Sequence, residues 1–263
     1  MTLPGSDEVR YTVADHLATV TLDRPERRNS LSQSVMSTLI ECFAHASTTD
    51  DVRAVVLTGA GDAAFCAGAD LKEFDEMARR GEQIPVPMSG SDRNVYEVVA
   101  ETPKPTIAVL NGPAVAGGFE LALACDLRIA AEHAFVVMPE AKRGMGANFA
   151  TVLLPRLLPR AVALEMLYLG EPVSARTALG WGLINRVVDR TELAAESAKY
   201  VEAIVGNAPL TLRRYKEMTF KGWELPVAAA LRLGVGPNPY LSEDRAEGIR
   251  AFLEKRPPRW QGR

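Results

Sequence analysis

Asn111-Gly112-Pro113-Ala114-Val115-Ala116-Gly117-Gly118-Phe119-Glu120-Leu121-Ala122-Leu123-Ala124-Cys125-Asp126 is the stretch on which the reading of this chain turns. It follows a continuously apolar run at residues 106–110, the pattern of a strand buried on both faces. Gly117-Gly118 then opens a helix over residues 117–125, and a helix start presents free backbone N–H groups to an anion or a developing oxyanion. Glu120 falls in the first turn of that helix, where an acidic residue is favoured in any case by the helix dipole. Its neighbours Phe119, Leu121 and Leu123 are apolar, however, and a carboxylate so flanked is poorly placed to be merely solvated.

Working outward, residues 127–131 and 134–138 read as two more strands, the second ending at Pro139-Glu140. Alone, Glu140 is an ordinary loop acid. Two glutamates at comparable strand ends can converge on one pocket, where burial raises one pKa and leaves a proton donor beside a base. Upstream, residues 9–13 and 17–22 alternate in polarity across Ala14-Asp15-His16, which predicts an antiparallel hairpin. Leu31, Val35, Leu39 and Phe43 recur every four residues after Ser30 and Ser32, the pattern of a capped amphipathic helix. Residues 54–58 form a buried strand, and residues 59–71 a small-residue loop feeding a helix. Residues 84–93, with two prolines, show little periodicity.

Beyond Pro159 the chain turns mostly helical. Helices are expected at residues 161–169, 174–179, 191–205, 209–221 and 225–233. A last one starts at Ser242, with Glu243 and Asp244 in its first turn and Lys255-Arg256 in its last. Strands followed by a run of helices point to an α/β core, residues 1–200, and a helical C-terminal region, residues 201–263.

Composition narrows the function classes. The 263 residues are 47% hydrophobic, enough for a sizeable core, and the formal charge of −3 argues against a general nucleic-acid binder. The N-terminal residues have neither a basic start nor an apolar h-region, and residues 106–124 are too interrupted for a membrane span. Cys42, Cys66 and Cys125 are odd in number and set among apolar neighbours, as core residues in a reducing compartment would be. The chain therefore reads as soluble and cytoplasmic, with no membrane or nucleic-acid partner. Gly59-Ala60-Gly61-Asp62-Ala63-Ala64 fits a dinucleotide fingerprint, but no helical periodicity follows it, as that motif requires. His16, His45 and His133 are scattered, and no metal-ligand spacing is present. Carboxylates are left to do any acid–base work.

Several segments in order resemble the crotonase (enoyl-CoA hydratase/isomerase) superfamily: residues 64–72, 111–126 and 134–140, Lys104-Pro105, residues 182–188, and residues 242–257. The similarity runs over nearly the whole chain. It implies a crotonase-type ββα spiral core with a helical C-terminal trimerisation region, assembling as a homotrimer or as a hexamer of two trimers. It further implies an acyl-CoA thioester substrate, with coenzyme A as part of the substrate and no other cofactor or metal.

By position, the resemblance makes the N–H groups of Ala69 and Gly117 an oxyanion hole for the thioester carbonyl. Ala67, Ala69, Asp70, Leu71 and Lys72 would border CoA, with Arg27, Lys72 and Lys255 as candidates for its phosphates. In hydratases the residue matching Glu120 deprotonates water for attack at the β-carbon, and the one matching Glu140 protonates the α-carbon. Relatives that only move a double bond usually lack the first acid, so the pair favours hydration of a 2-enoyl-CoA. One departure stands beside it. Where many hydratases carry a glycine-rich turn that helps hold the water, this chain has Gly146-Ala147-Asn148-Phe149-Ala150-Thr151, with Phe149 placed to crowd the site or Asn148 to replace a lost donor. The rival readings are another crotonase-type reaction, such as double-bond isomerisation, and a CoA-ester-binding or RNA-associated scaffold.

Overall fold

The computed structural model describes residues 3–83 and 93–263. The weakly patterned segment at 84–93 lies outside them except for Arg93. The chain opens with the expected hairpin of β1 (Val9–Ala14) and β2 (Leu17–Leu22), paired antiparallel. Asp15 and His16 both take left-handed backbone (φ 49° and 64°), the conformation that lets a two-residue turn match strand twist. In α1 (Gln33–Thr48) the Ser32 hydroxyl accepts the Val35 N–H as N-cap, and Val35, Leu39, Cys42, Phe43 and Ala46 form the buried stripe.

After β3 (Ala54–Gly59) come α2 (Leu71–Arg79), α3 (Val95–Glu101), β4 (Thr106–Leu110), β5 (Ala114–Val115) and α4 (Gly117–Ala124). Next are β6 (Leu127–Ala131), β7 (Phe135–Val137), a 3-10 turn at Glu140–Arg143, α5 (Asn148–Leu157) and α6 (Arg160–Leu169). The chain ends with β8 (Val173–Ser174), α7 (Ala175–Gly180), β9 (Arg186–Val188), α8 (Leu193–Val205), α9 (Pro209–Gly222), α10 (Val227–Ala230) and α11 (Glu243–Glu254).

The main sheet has the order β1-β2-β3-β4-β6-β9 and is parallel after the first hairpin. A second sheet, β5-β7-β8, lies at the strand ends. Two turns of the chain run from a main-sheet strand to a short second-sheet strand and then to helix, β4-β5-α4 and β6-β7-α5. This is the ββα spiral expected. Because β4 is covered on both faces, its residues divide: Ala108 and Leu110 join the larger core with Phe43 and Phe119, while Ile107 and Val109 pack with Ile129 under Leu193, Tyr200 and Ile204 of α8. Complete burial of a side chain such as Phe43 or Ile107 stabilises the fold by about 1.5–3 kcal/mol each.

Residues 148–157, to which sequence pattern assigned no element, are helix, with Pro155 inside it. Two sequence expectations are corrected. The helix expected at 225–233 shrinks to Val227–Ala230 between turns. Lys255 does not sit in the last helical turn: it is the C-cap of α11 in left-handed backbone (φ 54°), and Arg256 folds back onto Glu247 at 2.6 Å. α9 is tied to the core by Lys216 Nζ, which lies 2.8 Å from Asp126 and donates to the Lys104 carbonyl.

Candidate active site

The loop carrying residues 59–70 is held by two buried asparagines. Asn29 Nδ2 donates to the carbonyls of Ala60 and Ala64, and Asn111 Nδ2 to those of Gly61 and Ala64, while Asn111 Oδ1 accepts the Gly59 N–H. Loop carbonyls buried away from water require such partners. Further along, Cys66 bridges to β5 and Ala69 to Leu31. Gly68 (φ +82°) presses on the start of α4: a Cβ there would stand 2.8 Å from the Ala116 Cβ and 3.2 Å from the Gly117 nitrogen. The backbone around Ala69 and the N-terminus of α4 are therefore neighbours. Among the described residues, neither the Ala69 N–H nor the Gly117 N–H donates to a protein acceptor.

Ala116, just before Gly117, has φ 53° and ψ −129°, a conformation costly for a residue with a Cβ. Its carbonyl accepts the N–H groups of Phe119 and Glu120, which starts α4 while leaving the Gly117 N–H free.

All eight residues of α4 are buried, and Glu120 is its sole ionisable side chain, 5% exposed. Its Oε1 accepts the Ala150 N–H at 2.8 Å. That N–H belongs to the first turn of α5, whose N-cap Ala147 has no capping side chain, so Glu120 serves as a cap supplied from another helix. Burial still dominates and raises the Glu120 pKa to about 7; the Ala150 N–H lowers it, the charge of Glu140 raises it, and the Phe149 N–H and Tyr96 hydroxyl lower it. Glu140, 6% exposed, stands at the start of its 3-10 turn, and burial pushes its pKa upward as well, against the opposing charge of Arg143. Glu140 Oε2 is buried and has no hydrogen-bond partner among the described residues. The charge of Glu140 reaches Glu120, so the two buried carboxyls titrate as a coupled pair.

In the 146–151 segment the Ala150 N–H donates to Glu120, and the Phe149 N–H also lowers its pKa. The Phe149 ring stacks on Tyr96, with centroids 5.7 Å apart. An apolar cavity of about 850 Å³ is lined by Phe149 together with Leu123 and Ala124 of α4, Val152 and Leu153 of α5, and Tyr215 and Phe220 of α9, but not by Glu120 or Glu140. Tyr96 was not found by sequence reasoning. The signal for the element carrying Tyr96 was present, since Asn94 and Glu97 form a capping box at the start of α3.

The proposed CoA border divides. Ala67 is tied by its N–H to the Arg28 carbonyl, and Leu71 is 47% exposed beside Ala69. The Asp70 carboxylate is occupied internally: it caps α2 through the N–H groups of Lys72 and Glu73, accepts from Ser30 Oγ at 3.1 Å and pairs with Arg24 at 3.1 Å. Despite burial, the Ser30 hydroxyl, the Glu73 N–H and the Arg24 charge hold its pKa below the usual carboxylate value. Arg27 and Lys72 are exposed on the adjoining loop and helix start, and Lys255 is exposed at the end of α11, with no described contact to the site. Among the described residues no cluster of metal-ligating side chains is present, and no helix is long and apolar enough to cross a membrane.

The crystal structure of an enoyl-CoA hydratase from Bacillus anthracis superposes with a TM-score of 0.87 at 35% identity, covering 97% of this chain and all of that one. A hydratase from Mycobacterium tuberculosis superposes with a TM-score of 0.86 at 32% identity, covering 98% of this chain and all of that one. This architecture, with its buried carboxylate pair beside unpaired backbone donors, is that of the crotonase class of CoA-ester enzymes. Residues 12–263 match the family described as Enoyl-CoA hydratase/isomerase. The chain is 39% identical to the (E)-benzylidenesuccinyl-CoA hydratase of Thauera aromatica, across 97% of this chain and 99% of that one. It is 38% identical to the carnitinyl-CoA dehydratase of Salmonella enteritidis, across 98% and 100%. The chain belongs to the enoyl-CoA hydratase/isomerase family and is an enzyme.

Proposed function

We propose that the chain adds water reversibly across the 2,3 double bond of a 2-enoyl-CoA thioester to give a 3-hydroxyacyl-CoA. The observation that carries this reading is the asymmetry of the buried pair: Glu120 is held by the Ala150 N–H, whereas Glu140 Oε2 has no donor. In the forward direction ionised Glu120 takes a proton from water as its oxygen bonds to the β-carbon. The π electrons move onto the thioester oxygen as an enolate, met by the Ala69 and Gly117 N–H groups. Such preorganised donors contribute about 3 kcal/mol each. The enolate collapses as protonated Glu140 delivers its proton to the α-carbon, and proton exchange with solvent resets the pair.

In this reading Ala67, Leu71 and the main chain at Asp70 border the CoA moiety, and Lys72, Arg27 and Lys255 are its phosphate partners. No metal or redox group takes part, since the proton transfers and oxyanion contacts account for each bond change. The apolar cavity lined by Phe149 suits a bulky hydrocarbon acyl group. The working unit is a homotrimer or a hexamer of two trimers: Leu241, Phe252 and Leu253 near and on α11 are 73–84% exposed, an apolar surface suited to subunit contact. The setting is the cytoplasm.

The test is hydration of crotonyl-CoA and longer, branched or aryl enoyl-CoAs, followed as loss of the enoyl-thioester absorbance. Turnover of at least one substrate is expected, with Glu120→Gln and Glu140→Gln each losing it while still binding CoA esters. Binding without hydration at any chain length, or near wild-type rates in either variant, overturns the reading.

A further inference from the structure

Three helices carry both the carboxylate site and the apolar cavity. Tyr96 of α3, Gly117 and Glu120 of α4 and Ala150 of α5 come together at the reacting groups. The Tyr96 hydroxyl oxygen lies 2.5 Å from where a Cβ on Gly117 would stand, and the Ala150 N–H donates to Glu120 at 2.8 Å. Three or four residues further along these helices, Ala100, Leu123, Ala124 and Leu153 line the cavity of about 850 Å³. Residues so spaced share a helix face. One face of each helix therefore serves the reacting groups at one turn and the cavity at the next, yet neither Glu120 nor Glu140 lines the cavity. Phe149 belongs to both levels. Its backbone adjoins Ala150, the donor to Glu120, and the residue also lines the cavity. Its ring reaches across to α3, where it stacks on Tyr96 with centroids 5.7 Å apart and planes inclined by 28°.

We propose that Phe149 is the specificity-determining residue of the acyl site: its ring, braced on Tyr96, bars the way from the carboxylate pair to the cavity. A short acyl group ends against the ring, and a longer one enters the cavity by displacing it. The proposal rests on the hydratase reading for the identity of the substrate. The lining of the cavity suits hydrocarbon and not the phosphates of CoA, because its basic side chains are already engaged. Lys216 lies 2.8 Å from Asp126, Lys221 is 3.0 Å from Glu217 and Arg156 pairs with Glu224. Arg128 donates to the carbonyls of Ala122 and Cys125. What remains for an occupant is apolar surface, which rewards each methylene taken from water by about fourfold in affinity. Parting one aromatic stack costs up to about tenfold, so the ring is a movable bar and not a fixed wall. A few methylenes in the cavity offset its displacement.

Phe149→Ala tests this through two ratios, each internal to one protein and measured on the full chain. The first is the affinity for decanoyl-CoA against butyryl-CoA by calorimetry. The second is kcat/KM for hydration of 2-decenoyl-CoA against crotonyl-CoA. Both are expected to move about tenfold towards the long chain in Phe149→Ala, the scale of one stack. Phe149→Leu, which stays apolar but cannot stack, should move them the same way by less, and carries the test if the alanine variant does not fold. Val152→Trp, added to Phe149→Ala, fills the cavity from a position 56% exposed and should cancel the gain. Ratios unmoved by removal of the ring overturn the proposal. So does a gain that survives Val152→Trp, which would place the acyl chain elsewhere; a smaller assembly on size exclusion in that case would mark the cavity as a contact between copies. If the wild-type chain hydrates no enoyl-CoA, the hydratase reading fails while the acyl-CoA affinities still decide the role of Phe149.

Discussion

Glu120 Oε1 accepts the backbone N–H of Ala150 at 2.8 Å, so one carboxylate is both half of the buried pair and the cap of α5. The two duties pull on its pKa in opposite directions, and burial wins. This makes the site a local liability to the fold in its charged form.

The consequence for stability has a definite sign. The Glu120 carboxyl titrates at about 7 when folded and at 4.5 when free, so between those pH values the folded chain binds the extra proton and stability falls as pH rises. At ~1.4 kcal/mol per pH unit the loss reaches ~3 kcal/mol by pH 8. Glu120→Gln should therefore unfold at higher denaturant than the wild type at pH 8 and at about the same denaturant at pH 4.5. Equal midpoints at pH 8 would sink this account.

Gly117→Ala should be severe in rate and mild in fold. Its Cβ meets the Tyr96 hydroxyl at 2.5 Å, so α3 or the start of α4 must shift and carry the Gly117 N–H out of line. We expect a fall of about a hundredfold in kcat for hydration, the scale of one lost oxyanion donor. Partial recovery in the Gly117→Ala, Tyr96→Phe double variant is the check, since the second change removes the colliding oxygen.

Ala116→Gly should stabilise the chain. At φ 53° and ψ −129° a Cβ is unfavourable, and removing it relieves about 1 kcal/mol of strain, offset in part by the extra freedom of glycine when unfolded. A rise in melting temperature with activity retained is the expected result; a lower melting temperature would show that the Cβ packs favourably.

Asp244 fastens the C-terminal tail. Its carboxylate, 2% exposed, accepts the N–H groups of Gln261 at 2.6 Å and Gly262 at 3.0 Å. Asp244→Ala leaves both donors without their acceptor and should cost about 1–3 kcal/mol. Hydrogen exchange should report lost protection at Gln261 and Gly262, and unchanged exchange there would refute the anchoring role.

Sequence alone determined the strand-and-helix order of the spiral, because that order is written in local periodicity. The alternating hairpin strands, the four-residue spacing from Leu31 to Phe43 and the solid apolar runs of β3 and β4 each report their own burial. It also picked out Glu120, since an acid in an apolar helix start is odd locally, and Glu140 through its pairing with Glu120 and the family resemblance. Tertiary structure alone decided the rest. The 146–151 segment carries no helix signal because its helix begins on a cap that lies 30 residues away, at Glu120. Tyr96 carries no mark in its own sequence neighbourhood of the place it takes, with its hydroxyl at the start of α4 and its ring stacked on Phe149 of α5. Periodicity is a property of neighbours along the chain, whereas the charge balance between two buried glutamates depends on groups that only folding brings together.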